Sequence, residues 1–212
     1  FLPTLILPQN FVLAGGKLMG HWTSFCLRLI LSVKIRILGK ENIINDKKFF
    51  IAASHQSMFE TFYLQTIFNA PIFILKQELI KIPIFGWYLK KIGSISINRN
   101  KVSKDNLGLI DKIKNSINNS QRPLIIFPQG TRVLPNERPS FKKGASRIYE
   151  NLKITCQPIA INSGYVWPKN GFKKSHRTIT ISILKPINND LSKDEFIKIL
   201  EEKIYSELNL LN

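Results

Sequence analysis

Acidic residues are scarce in this sequence. Its 14 Asp and Glu stand against 31 Lys and Arg, which leaves a formal net charge of +17 on 212 residues. That exceeds what solubility requires and implies an anionic partner: nucleic acid, a phospholipid surface or a phosphorylated small molecule. The competing reading is that part of the lysine, with the abundant isoleucine and asparagine, reflects a genome's compositional bias. Cysteine is nearly absent. Cys26 and Cys156 lie far apart with no CxxC or Cys/His spacing, which argues against a disulfide framework and a structural zinc and fits a reducing, cytoplasmic setting. Repeats, low-complexity tracts and long Pro/Gly/Ser linkers are missing, so the chain reads as one domain with any accessory element at an end. No GxSxG, HExxH, P-loop or GxGxxG occurs, which removes the commonest hydrolase, zinc-protease and nucleotide templates. No long apolar run occurs either. Phe1 to Pro8 is apolar but carries Pro3 and Pro8 and falls short of the roughly 20 residues of a spanning helix. Because the first residue is Phe rather than Met, an upstream segment is expected, and Phe1 to Pro8 suits the tail of a spanning helix.

What is present alternates. From Lys17 to Leu38, apolar residues recur at Trp22, Cys26, Leu29, Ile30, Val33 and Ile37 among Lys17, Arg28, Lys34 and Arg36. The spacing predicts a basic amphipathic helix over at least the first two thirds of this stretch. It suits a membrane-surface anchor, with Trp22 at headgroup level, and equally a helix packed on a core. The apolar segment before it favours the anchor. We therefore expect residues 1–38 to form a membrane-associated segment and residues 39–212 a separate domain. Gly16 to Gly20 makes a GxxxG, read as chance rather than as a dimer seam.

Strand-like runs follow at Lys34 to Leu38, Phe49 to Ala53, Ile72 to Lys76, Ser94 to Asn98, Leu124 to Phe127, Pro158 to Asn162 and Thr178 to Leu184. Helical spacing separates some of them, at Leu107, Ile110, Ile113 and Ile117, and from Ser192 to Leu208 with Phe196, Ile199, Leu200 and Ile204 inward. The expected fold is α/β: a mixed, largely parallel sheet of about seven strands covered by helices. Thr178 to Ile183 alternates polar and apolar side chains, which predicts one polar face and a mixed sheet.

Four blocks carry candidate chemistry. His55 directly follows the apolar strand Phe49 to Ala53, where α/β folds collect reactive groups. Residues five apart in one helix are about 140° apart in rotation, so His55 and Glu60 pair only if His55 sits in the turn before the helix. Ser54 and Ser57 suit the capping of that turn. Paired, Glu60 fixes the imidazole tautomer and leaves the other nitrogen as a base; taken alone, a histidine at a capped helix start is the commoner outcome. Leu124 to Arg132 is a buried strand ending in Pro128, Gln129, Gly130, Thr131 and Arg132. Gly130 allows close backbone approach, Thr131 offers a hydroxyl and Arg132 a bidentate fork for phosphate, while the simpler reading is a turn with a solvated Arg. Gly93 to Arg99 is a strand ending in a cation. Lys76 to Gly86 is helix-like and broken by Pro83 and Gly86. Ser57 and Cys156 are weak nucleophile candidates, since Ser57 has only its neighbour His55 as a base and Cys156 has none.

In this order, the four blocks resemble the phospholipid-synthesis acyltransferases of the 1-acylglycerol-3-phosphate acyltransferase family. His55 to Glu60 is similar to the HxxxxD motif, Lys76 to Gly86 to its K-x-E-L…P…G block, Gly93 to Arg99 to its strand ending in Arg, and Phe127 to Arg132 to F-P-E-G-T-R. Phe141 to Ala145 and Gln157 to Ala160 resemble its later blocks, and the likeness spans roughly Gly39 to Pro186. Glu60 stands where Asp is usual, which keeps the carboxylate on a longer arm. Gln129 stands where Glu is usual, and a neutral amide there leaves general-base chemistry to His55.

The resemblance implies transfer of a fatty acyl group from acyl-CoA or acyl-carrier protein to the sn-2 hydroxyl of lysophosphatidate, giving phosphatidate. His55 is then the base and Glu60 its orienter. Arg99, Gly130, Thr131 and Arg132, with Lys76 more loosely, form the phosphate-binding set. No metal or bound cofactor is implied. The expected partners are an anionic phospholipid membrane, lysophosphatidate and the acyl donor, with no nucleic acid, and the expected location is the cytoplasmic face of the inner (plasma) membrane. Apolar residues near Ile82, Phe85, Trp87 and Tyr88 suit an acyl chain or a core. Two other readings stay open: a sister acyltransferase using glycerol-3-phosphate or another lysolipid, and a non-catalytic basic module binding membrane or RNA, although no RNP-like or GXXG signature is present.

Overall fold

The computed structural model describes residues 2–45, 48–98 and 108–211. Its strand-like runs become one seven-stranded sheet. The spatial order is β1 (Lys34–Leu38), β7 (Thr178–Ile183), β6 (Thr155–Ile161), β2 (Phe49–Ala53), β5 (Leu124–Ile126), β3 (Ile72–Lys76) and β4 (Ile95–Ile97). Strands β6, β2, β5, β3 and β4 run parallel, β7 turns back against β6, and β1 pairs in parallel with β7. The sheet is therefore mixed and largely parallel.

Alternation along β2 sorts side chains into two cores. Phe50 and Ala52 point to a layer built with α5 (Leu109–Ser120), α6 (Gly144–Leu152) and α7 (Lys193–Leu210), where Ile113, Ile148, Phe196 and Leu200 are buried. Phe49, Ile51 and Ala53 point the other way, onto Phe59, Tyr63 and Leu64 of α2 (Phe59–Ile67) and Leu27 of α1 (Gln9–Leu31). A strand buried on both faces needs apolar residues at every position, which Phe49 to Ala53 supplies. Helix α7 starts at a capping box in which Ser192 Oγ accepts from the Glu195 N–H and Glu195 reaches back to the Ser192 N–H, and its inward Phe196, Leu200 and Ile204 follow helical spacing.

The polar row of β7 is present: Thr180 and Ser182 are buried, Thr178 is exposed, and Ser182 Oγ donates to Glu207 Oε1 of α7 at 2.7 Å. One expectation changes. Helix α1 begins at Gln9, well before Lys17, and stops at Leu31, where Ser32 turns left-handed (φ 51) and its N–H caps the Leu27 carbonyl. Lys34–Leu38 is the edge strand, so the N-terminal stretch delivers both a helix and part of the sheet.

Helix α1 packs on α2 through its small side. Val12, Gly15, Gly20, Ser24 and Leu27 are buried, while Phe11, Leu18, Trp22, Phe25 and Leu29 form an exposed stripe at helical spacing. Of the apolar residues that gave the sequence its period, Trp22, Leu29 and Ile30 point away from the domain, Cys26 is half-buried, and Val33 lies in the core. Gly16 and Gly20 lie against the neighbouring helix: a Cβ on Gly20 would overlap the Phe62 carbonyl oxygen and lie 2.6 Å from Thr66 Cγ2. The GxxxG is an intramolecular packing seam and not chance. Gly20→Leu is expected to destabilise the fold by about 1–3 kcal/mol, because the obstacle is backbone. Gly16→Ala should be neutral or stabilising, since it meets only the end of the Gln65 side chain and gains roughly 1 kcal/mol in helix propensity. Thermal unfolding of the two variants checks the contrast. Among the described residues, no helix is long and apolar enough to cross a membrane.

Candidate active site

The parallel strands end along one edge of the sheet, and the four sequence blocks follow those ends. Ala52 pairs with Ile126, so His55 and Gln129 each lie three residues beyond a shared rung. Lys76 closes β3 opposite Ile97 of β4. Arg99 lies outside the described residues.

Between β2 and α2 the chain makes a tight turn whose backbone is almost fully bonded. Ser54 does not cap the helix: its hydroxyl accepts from the Ile161 N–H at 2.8 Å and ties the end of β2 to β6. Ser57 does serve the helix start, accepting from the Phe59 N–H at 3.1 Å. The turn leaves His55 outside the helix and Glu60 in its first turn, and His55 Nδ1 sits 3.0 Å from Glu60 Oε2. The longer arm of glutamate therefore spans the gap.

Glu60 is fully buried, and a buried carboxylate needs donors on both oxygens. It has them. Oε1 accepts the N–H groups of Gln56 (3.2 Å) and Ser57 (3.0 Å) and the hydroxyl of Ser163, while Oε2 takes His55 Nδ1 and shares the Ser57 N–H. With every neighbour donating, the network assigns the Nδ1 proton to His55 and leaves Nε2 with its lone pair.

The imidazole is held as firmly as its partner. Its ring stacks on Phe127 with centroids 4.0 Å apart and planes 18° apart. The His55 backbone N–H donates to Gln129 Oε1 at 2.9 Å, and its carbonyl accepts the Val133 N–H at 2.9 Å. Gln129 is buried, and as an amide it supplies the acceptor without burying a charge. The His55 side chain keeps 16% exposure, which gives solvent or substrate access to one side of the ring.

Gly130, Thr131 and Arg132 form the turn between Phe127, stacked on His55, and Val133, bonded to it. Gly130 adopts φ 75, the left-handed region that favours glycine, and its N–H closes the turn on the Phe127 carbonyl. The loop is thus fixed at both ends to the histidine, with Thr131 exposed and Arg132 half-buried. Lys76, exposed, lies two strands from β2, roughly 10 Å across the sheet. Cys156 is enclosed in the core, and burial pushes its thiol well above its usual range, which removes it as a thiolate nucleophile. Among the described residues, no group of three or more His, Cys, Asp and Glu is placed to hold a metal ion.

Ser163 carries no signal in the sequence, which also assigns no role to Gln56, inside the His55 to Glu60 block. The two segments meet across the sheet: Ser163 lies in a short 3-10 turn after β6, and Gln56 Oε1 accepts the Gly164 N–H at 3.1 Å. A Cβ on Gly164 would come within 2.9 Å of Gln56 Cβ, so the turn packs directly on the histidine loop. Beside it opens a cleft of about 490 Å³ between residues 134–137 and the segment that follows Gly164, with Pro135, Tyr165 and Phe172 in its wall.

Comparison with known proteins bears on this geometry. The profile of the Acyltransferase family matches residues 34–162. A 1-acyl-sn-glycerol-3-phosphate acyltransferase of Pseudomonas aeruginosa is 33% identical over 168 residues, covering 77% of this chain and 64% of its own. One from Saccharomyces cerevisiae is 29% identical over 202 residues, covering 90% and 65%. The chain therefore spans just under two thirds of the length of these relatives. Among solved structures, the 1-acyl-sn-glycerophosphate (LPA) acyltransferase PlsC from Thermotoga maritima superimposes with a TM-score of 0.79 at 25% identity, covering 96% of this chain and 80% of that one.

Proposed function

Because the chain belongs to the Acyltransferase family, we propose that it moves a fatty acyl group from a coenzyme A or carrier-protein thioester to the free hydroxyl of lysophosphatidate, giving phosphatidate. The observation that carries this reading is the His55–Glu60 pair, 3.0 Å apart at the carboxyl end of β2, with Nε2 of the ring unused. Nε2 takes the proton of the acceptor hydroxyl as its oxygen attacks the thioester carbonyl. The tetrahedral intermediate collapses by breaking the carbon–sulfur bond, and the departing thiolate recovers the proton from the imidazolium. Glu60 holds the ring and stabilises the transient cation.

Arg132, Thr131 and Gly130 take the acceptor phosphate, which their tie to His55 keeps at a fixed distance from the base. Lys76, at the end of β3, belongs to the same set as a further cation along the sheet edge, and Arg99 is assigned to it from the sequence block alone. Arg132→Ala is expected to raise KM for lysophosphatidate about 10- to 100-fold, the size of a charge-assisted hydrogen bond, with a smaller change in kcat. Measuring the same variant on monoacylglycerol, which has no phosphate, isolates the effect: an equal loss there would remove Arg132 from phosphate binding.

The outer stripe of α1 and the exposed Ile82, Phe85 and Trp87, the last two in α4 (Phe85–Lys91), suit a bilayer surface from which lipid substrates enter. The test of the whole reading is turnover of lysophosphatidate, glycerol-3-phosphate and a neutral lysolipid under one labelled acyl donor. Phosphatidate formation supports it, turnover of only another acceptor shifts it to a sister activity, and no acyl transfer at all overturns it.

A further inference from the structure

We propose that the segment from Trp167 to Arg177, between β6 and β7, is a second bilayer contact: an apolar tip in a basic collar that inserts among anionic headgroups. This rests on the reading of the protein as an enzyme of the membrane surface and adds a site separate from α1.

Phe172, midway along the segment beside Gly171, is 96% exposed. Lys169, Lys173, Lys174, His176 and Arg177 flank it in sequence, all exposed. From Asn151 to Asn189 the sequence holds no Asp or Glu, so these cations have no local acidic neighbours in sequence. A bare phenylalanine costs free energy in water, and cations flanking an apolar residue match the headgroup and acyl layers of an anionic bilayer. An acidic protein would account for the collar but not for an unsheltered tip.

The segment is also placed for this. It leaves the carboxyl end of β6, the edge that carries His55, and enters β7. Its base is fixed: the Lys174 N–H donates to the Val166 carbonyl, and Lys173 Nζ lies 4.4 Å from the Trp167 ring centroid. The His176 N–H donates to the Leu31 carbonyl at the end of α1, and the Lys34 N–H to the Arg177 carbonyl. The base of the segment therefore lies against the C-terminal end of α1, the helix that carries the exposed Trp22, Phe25 and Leu29. Phe172 and Lys174 also wall the cleft beside Gly164, so a bilayer reached by this segment lies against an opening near the catalytic turn.

The test uses the whole chain, with Phe172→Ser and the pair Lys173→Gln/Lys174→Gln. Binding is read by sedimentation with phosphatidylglycerol/phosphatidylcholine vesicles, and catalysis separately with short-chain acyl-CoA and short-chain lysophosphatidate below its micelle concentration. The lysine pair should lower vesicle partition about thirtyfold and Phe172→Ser roughly tenfold. High salt should abolish the first difference and not the second. Turnover of the soluble substrates should stay within about twofold of wild type, since the substituted groups lie outside the catalytic turn. Wild-type partition in both variants overturns the proposal, as does wild-type partition accompanied by lost binding to an acidic acyl carrier protein, which would make the segment a protein-docking site. Loss of soluble turnover equal to the loss of partition overturns it too, because the segment would then act in the chemical site. A wild-type chain that turns over soluble substrates but ignores vesicles overturns the membrane reading itself and this contact with it.

Discussion

Replacing His55 with alanine is expected to lower kcat/KM for lysophosphatidate by about 10³-fold while leaving the fold intact. The two halves of this expectation come from different atoms. The side chain contributes the stack on Phe127 and the bond to Glu60, and loss of the stack costs about 1 kcal/mol. The backbone contributes the bonds that hold the loop, to Gln129 Oε1 and from the Val133 N–H. Alanine keeps both. A variant that unfolds like wild type yet barely turns over places His55 in the chemistry. A variant that keeps more than about a tenth of wild-type activity removes it, and the base must then be sought elsewhere, because Gln129 is an amide and Cys156 is sealed in the core.

How much of this was legible in the sequence depends on whether a feature has a local cause. Lys34–Leu38, Phe49–Ala53 and Ile72–Lys76 form strands with the ends their apolar and β-branched runs predict. Helix α1 forms over the expected stretch but begins earlier, at Gln9, and hydropathy alone does not say which side meets the protein: its buried side mixes Val12 and Leu27 with Gly15, Gly20 and Ser24, which carry almost no hydrophobic signal. The polar alternation of β7 was legible, but its partner was not, because Glu207, far along the chain, takes the Ser182 hydroxyl.

The site divides in the same way. His55 and Glu60 lie five residues apart, so a turn geometry was deducible from helix rotation alone. Ser163, 103 positions from Glu60, enters the turn only because β6 runs beside β2 in register, Ala53 opposite Ile159. Gln129 was read for what it cannot do as a base. Its bond to the His55 N–H shows what an uncharged acceptor does there instead.

The sharpest test of the pair is Glu60→Gln against Glu60→Asp. Glu60 Oε1 accepts from Gln56 N, Ser57 N and Ser163 Oγ, and Oε2 faces His55. Glutamine has one oxygen to place. Turned toward His55, its amide N–H groups would oppose the donors of Gln56 and Ser57, at about 1–3 kcal/mol for each group left unpaired. Turned the other way, the oxygen satisfies those donors and the NH₂ faces Nδ1, which must then accept. The second arrangement costs less, and it moves the imidazole proton to Nε2, where the base needs a lone pair. Glu60→Gln should therefore lose about 10³-fold in kcat with a modest loss of stability, and the ¹⁵N shifts of the imidazole should report the exchanged tautomer. Glu60→Asp keeps the charge but withdraws the carboxylate by one methylene, so it should retain the wild-type tautomer and lose roughly tenfold. Equal losses in the two variants, with the tautomer unchanged in Glu60→Gln, would mean that Glu60 supplies shape to the turn and not charge to the histidine.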